Sequence, residues 1–197
     1  MTSVSIKPKV HSYSSLKKMY PQALSYGIQN FACEKEPELV GFLNRTAPIF
    51  EDNYQCRTYF VIDENTITND KLDIIAYFSI SLTAVQLKST LSNKKKKDLT
   101  KNIPNRDNLQ AIPGYLIAQL GRNDMYSHSQ YPGEELLNSC LNTIKTIQEL
   151  IGITLVVVEC KTELFKKFYG KNKFKSLYPS NSKNYETIFA YEKFKGV

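Results

Sequence analysis

Between Arg122 and Gly133 the chain carries residues suited to holding an anion. An apolar run, Tyr115-Leu116-Ile117-Ala118-Gln119-Leu120-Gly121, leads into a polar stretch with Arg122, His128, Ser129 and Gln130, which closes on Tyr131-Pro132-Gly133-Glu134 as a helical pattern begins. A loop passing from strand to helix exposes backbone N–H groups, because first-turn amides lack intrahelical acceptors and the helix dipole is positive there. A pyrophosphate fits such a place; an ordinary strand-to-helix turn is the other reading of a loop with a single glycine. Three nearby groups have the chemistry of a proton acceptor: Asp124 and His128 in the loop, and Glu159 at the end of the next apolar run. A strand-end carboxylate equally suits a surface ion pair, and a loop histidine equally suits a phosphate contact.

The elements that must position these groups are visible in the hydrophobic pattern. The run bounded by Gly114 and Gly121 is apolar throughout, as expected of a central strand covered on both faces. Pro132-Gly133 marks the mouth of a helix in which Leu136, Cys140, Ile144, Ile147 and Ile151 recur at helical spacing, with Leu137 and Leu141 widening the stripe and Gly152 ending it. Ile153 to Val158 is β-branched and short, and predicts a second buried strand ending at Glu159-Cys160. A short helix then runs from Thr162 to Tyr169. Nearer the amino terminus, Leu39, Phe42, Leu43, Ala47 and Phe50 form a helical stripe, and Tyr59 to Ile62 alternate as in a strand.

This succession resembles the acyl-CoA core of the GNAT N-acetyltransferases. Their phosphate loop reads Gln or Arg, two residues, Gly, one residue, then Gly or Ala, followed by a leucine pair. Anchored on Leu136-Leu137, the pattern puts His128 at the first position, Tyr131 at the first glycine and Gly133 at the last, so the Tyr131 side chain has to turn away from the phosphates. A second register begins at Gln130, makes Gly133 the first glycine and puts Glu135 at the second small position. Phe168-Tyr169-Gly170-Lys171-Asn172-Lys173-Phe174 is similar to the family's FYxxxGF, with Lys173 in place of the glycine. The resemblance implies that Tyr169 protonates the departing CoA thiolate, for which a phenol is suited because phenol and thiol pKa values lie within about two units. Packing of Phe165, Phe168 and Tyr169 on the sheet is the alternative.

The resemblance further implies contacts to acetyl-CoA from Gln119, Leu120, Gly121 and Arg122 on the central strand, from His128, Ser129, Gln130, Tyr131, Pro132, Gly133 and Glu134 around the loop, and from Thr162, where the family often has asparagine. A strand amide near Leu120 or Gly121 polarises the thioester carbonyl, and Glu159 is the candidate general base. Phe31 to Leu43 is similar to the FDCGxxxLDxFL opening of a branch that includes the tRNA-acetylating toxins, and Cys56 to Asp63 with Ile74 to Leu82 is similar to that branch's hairpin. Tyr77, Phe78 and Ser79 in this hairpin line the acceptor cleft or pack in the core. The similarity spans roughly residues 30 to 191. The expected fold is α/β (α+β): a mixed, mostly antiparallel twisted sheet flanked by helices and splayed in a V at the central strand.

A chain of 197 residues with 42% hydrophobic content suits one domain, here 1–197. No apolar stretch has transmembrane length and none opens the chain, so a cytoplasmic protein with no membrane partner is expected. Cys33, Cys56, Cys140 and Cys160 show no zinc spacing and fit a reduced setting; Cys160 leaves an acetyl-cysteine route open beside direct transfer. The formal charge is +7, and Lys94-Lys95-Lys96-Lys97 lies in a basic loop excursion over 89–108, with a second basic stretch from Lys166 to Lys175. Such runs either keep a loop solvated or steer a polyanion. The leading expectation is acetyl transfer from acetyl-CoA to a primary amine whose identity the sequence leaves open. The alternatives are acetylation of aminoacyl-tRNA and a non-catalytic acyl-CoA-binding module, and the expected partners are acetyl-CoA, the amine, tRNA and a second copy in a homodimer.

Overall fold

The computed structural model describes residues 5–89, 91–101 and 103–177, and the backbone of 187–193. Seven strands, β1 (Pro8–Ser12), β2 (Arg57–Asp63), β3 (Ile74–Gln86), β4 (Ala111–Arg122), β5 (Leu155–Lys161), β6 (Lys175–Ser176) and β7 (Thr187–Lys193), lie in the order β1-β2-β3-β4-β5-β7-β6. Among the described pairings β4 and β5 run parallel and the others antiparallel. The β4–β5 ladder joins Tyr115, Leu116 and Ile117 to Val156, Val157 and Val158; among the described residues no ladder pair joins the two strands beyond these, although β4 continues to Arg122 and β5 to Lys161. Seven helices, α1 (Tyr13–Met19), α2 (Pro21–Gln29), α3 (Pro37–Gly41), α4 (Ala47–Asp52), α5 (Asn93–Leu99), α6 (Gly133–Ile151) and α7 (Thr162–Leu164), complete the described elements, together with short 3-10 and π-helical turns.

The chain gathers into two compact units, Met1–Ser81 with Ala118–Lys145, and Leu82–Ile117 with Thr146–Val197. In the first, α1 begins where the Ser12 hydroxyl accepts from the Ser15 amide at 3.2 Å, and α2 and α3 each open on proline, whose fixed φ suits a first helical turn. A π-helical turn, Phe42–Thr46, joins α3 to α4. The apolar faces of these helices meet β2 and β3 in a core of Leu16, Leu24, Leu43, Phe60, Ile74 and Tyr77. Tyr77 and Phe78 are buried; Tyr77 donates to the Leu39 carbonyl at 2.8 Å, Phe78 stacks on Tyr59, and Ser79 bonds Thr58, so all three are packing residues. The β2–β3 register slips between Val61 and Ile62, leaving a bulge at Ile75.

The second unit is centred on Val85, Leu91, Leu99, Ile112, Leu155, Val157 and Leu177. Two of these residues lie within 89–108, so that segment is more than an exposed excursion. It holds α5, capped by the Ser92 hydroxyl, which accepts from the Lys95 amide at 3.3 Å. Leu91 and Leu99 bury the two ends while Lys94 and Lys97 stay exposed. The α6 pattern is confirmed at Leu136, Leu137, Cys140 and Ile144, all buried; Ile151, at the far end of the stripe, is 50% exposed. Gly152 ends the helix at φ 41°, a left-handed conformation that suits a residue without Cβ.

One buried charge ties α4 to β2. Glu51, 6% exposed, accepts from the Thr58 amide and from Arg57 Nη1 at 2.8 Å. Glu51→Ala leaves a buried N–H without an acceptor, and is expected to lower unfolding free energy in urea by about 2–3 kcal/mol, with a smaller loss for Glu51→Gln.

Candidate functional site

In the first unit the β4–loop–α6 segment is fixed by side chains at its start. Asn123, 4% exposed, donates its amide to the Ile75 carbonyl and its Nδ2 to the Ile74 carbonyl, both at 2.9 Å, so the β3 bulge holds the loop entrance. Its Oδ1 accepts from the Met125 amide at 3.1 Å and the Ala32 amide at 3.4 Å. Asp124 Oδ2 accepts from the Glu34 amide at 2.6 Å and its own amide donates to the Ala32 carbonyl at 2.9 Å. Asp124, a sequence candidate for the base, is thus engaged in holding the loop to the 32–34 segment.

Arg122, half-buried, braces the far side of the loop by donating Nη1 to the Tyr131 carbonyl at 3.0 Å, with His128 Nδ1 at 3.5 Å. A turn closes over Ser127–Tyr131: the Gln130 and Tyr131 amides both donate to the Ser127 carbonyl at 3.1 Å, and Gln130 Oε1 accepts from the Ser127 amide at 2.9 Å. Tyr131 turns inward. It is 3% exposed and its hydroxyl lies 3.1 Å from Ser139 Oγ on α6, so the bulky side chain at the glycine position of the motif is part of the core.

The Pro132 carbonyl accepts from the Glu135 and Leu136 amides. Among the described residues the amides of Gly133 and Glu134 have no acceptor, which leaves two first-turn donors at the positive end of a 19-residue helix. Ser129 and His128 are exposed beside them, Gln130 and Glu134 are exposed, and Pro132 and Gly133 are half-buried. Upstream, Gln119 and Leu120 are half-buried on β4, and Gly121 is buried against Leu39.

The remaining candidates belong to the second unit. Glu159 is exposed on β5, opposite Phe189 in the β7 ladder. Cys160 is buried; desolvation, aided by the Glu159 charge, pushes its thiol up to about 11. The thiolate needed for an acetyl-cysteine route is therefore scarce at neutral pH. Thr162 Oγ1 is a buried polar atom without a hydrogen-bond partner among the described residues. Tyr169, 4% exposed, packs edge-on against Phe168 at 5.0 Å and Phe174 at 5.3 Å between ring centres. It ends a π-helical turn, Phe165–Tyr169, whose geometry is closed by the Gly170 amide on the Phe165 carbonyl at 2.7 Å and the Phe174 amide on the Tyr169 carbonyl at 3.1 Å.

No family model matches the sequence, and no curated protein does. Solved structures do. A tyrosine-to-phenylalanine mutant of KacT superposes with a TM-score of 0.68 over 93% of this chain and 94% of that one, at 21% identity. AtaT complexed with acetyl-methionyl-tRNAfMet gives 0.66 over 93% and 94% at 18% identity, and AtaTR bound with AcCoA gives 0.65 over 92% of each chain at 19% identity. The fold is the GNAT fold.

The GNAT fold gives Lys173 a physical reading. The family pattern has glycine at this point, and Lys173 has φ 70°, in the left-handed region where a Cβ is penalised by about 1–2 kcal/mol. The backbone here is left-handed although lysine is not the residue best suited to it. Lys173→Gly is expected to raise stability by about 0.5–1 kcal/mol, the relief of strain less the extra unfolded-state entropy of glycine, read as a higher urea midpoint at unchanged slope.

Proposed function

We propose that this protein is an N-acetyltransferase that moves the acetyl group of acetyl-CoA onto the α-amino group of an amino acid carried by tRNA. The observation that carries this reading is a GNAT fold matched over nine-tenths of the chain by AtaT complexed with acetyl-methionyl-tRNAfMet, with AtaTR bound with AcCoA among the same neighbours. The ligand of that neighbour supports an aminoacyl-tRNA over the unspecified primary amine expected from sequence.

The residues fit a CoA ester. The free amides of Gly133 and Glu134, on a loop braced by Arg122, suit the pyrophosphate, and the unpartnered Thr162 hydroxyl suits a polar atom of the pantetheine arm. Backbone groups of Gln119 to Arg122, past the end of the β4–β5 ladder, suit strand-like pairing with the same arm. When bound, acetyl-CoA supplies an acetyl thioester. On this reading a β4 amide near Leu120 or Gly121 would stabilise charge on the carbonyl oxygen, the Tyr169 hydroxyl would give its proton to the leaving sulfur, and the Glu159 carboxylate would take the proton that the amine releases, the roles that the family resemblance implies. Direct attack by the amine agrees with a Cys160 held as thiol.

Two measurements test this. Calorimetry is expected to find micromolar acetyl-CoA binding that Gly133→Trp abolishes; no binding by the unaltered protein would favour a non-catalytic interaction module. Tyr169→Phe is expected to lower turnover on charged tRNA by about 10²–10⁴-fold with acetyl-CoA affinity kept, and unchanged turnover would remove Tyr169 from the reaction.

A further inference from the structure

We infer that the lysine face formed by α5 and the Lys171–Lys175 segment in the second unit is the surface on which the phosphate backbone of the tRNA lies, an inference that rests on the aminoacyl-tRNA reading above. The two basic stretches are some seventy residues apart in sequence. Lys95 brings them together: its Nζ donates to the Ser176 carbonyl at 2.8 Å and the Leu177 carbonyl at 3.0 Å, while Leu91 and Leu99 share a core with Leu177. With Lys95 so engaged, Lys94, Lys97, Lys171, Lys173 and Lys175 remain exposed, and among the described residues none of them pairs with a carboxylate.

Two local choices put positive charge here against the preference of the backbone. The first turn of α5 carries Lys94 and Lys95 and no acidic residue, which the helix dipole disfavours, whereas Lys96 and Lys97 in its last turn stand where the dipole favours them. Lys173 keeps a cationic side chain at a left-handed position better suited to glycine. Departures from local consistency that share one direction point to selection for binding rather than for stability. The ligand class follows from what surrounds the charges. Among the described residues, no large apolar side chain is exposed within 91–101 or 170–177, so the face lacks the anchors that an anionic membrane surface would engage, whereas an RNA backbone requires only cations and hydrogen-bond donors.

The test uses the full chain with lysines 94, 96 and 97 all replaced by glutamine, which keeps helix propensity and removes charge. Binding of purified tRNA across a potassium chloride series is expected to weaken about tenfold or more, with the log–log salt slope falling by about 2–3, near 0.9 for each phosphate that is no longer neutralised. Acetyl-CoA affinity and thermal midpoint stay unchanged. Lys173→Gly, which should stabilise the protein, is expected to lower the slope by about 1, a change that misfolding does not explain. A triple variant with the unaltered protein's affinity and slope overturns the lysine face and leaves the acetylation of charged tRNA standing. Loss of acetyl-CoA binding in the triple variant overturns it in favour of a cofactor contact. An unaltered protein that binds phosphatidylglycerol vesicles and not tRNA overturns it in favour of a membrane surface, and failure to acetylate charged tRNA marks the underlying reading, not the face, as the fault.

Discussion

The loop between β4 and α6 has to satisfy its own backbone and still leave amides free, and the side chain of Asn123 reconciles the two demands. Buried at the strand end, it gives Nδ2 to one carbonyl of the β3 bulge and its own amide to the next, and takes two amides on Oδ1. Hydrogen bonds of this kind are strong in a low-dielectric setting and costly to lose, so they fix where the loop begins. Asp124 and Arg122 then hold its two sides, and Tyr131 ends it by entering the core. The first turn of α6 is left with two amides, those of Gly133 and Glu134, that have no acceptor among the described residues.

The parts of this arrangement that the sequence reveals are those governed by periodicity. The helix from Gly133 to Ile151, the strands on either side of it and the helical stripe from Leu39 to Phe50 are all visible in the spacing of apolar residues. Helix α5 is not, because seven mostly cationic residues have no apolar face and the helix is held by Leu91 and Leu99 at its two ends. Asn123 and Glu51 also escape detection. Each is an ordinary polar letter whose importance comes from backbone groups distant in sequence, Ile74 and Ile75 for the one and Thr58 for the other. Motif order points to the site residues, whereas the inward turn of Tyr131 and the left-handed backbone of Lys173 are conformational facts that a string of letters does not carry.

Stability and charge are arranged on different principles in the two units. The first buries Glu51 between α4 and β2 and Asp63 at the end of β2, and uses the loop carboxylate of Asp124 to tie down a backbone amide. The second keeps its apolar residues in a compact core and sets lysines around it, including one whose ammonium closes off the carbonyls of a short strand. Tyr169 sits in that second unit, enclosed by Phe168 and Phe174, so its ring is held by contacts that do not depend on the lysines.

The bulge at Ile75 makes the length of β3 a matter of parity. Beyond it, successive side chains alternate, so that Tyr77 reaches the Leu39 carbonyl and Phe78 lies over Tyr59. A single-residue deletion between the bulge and Tyr77 would move each later side chain to the other face, placing Phe78 where the hydroxyl is needed and Ser79 where Tyr59 stacks. Among relatives that diverge in this hairpin, changes in length should therefore accumulate in the turn between Glu64 and Asp73 and not in the strand, where the bulge sets the register on which the entrance of the β4–α6 loop depends.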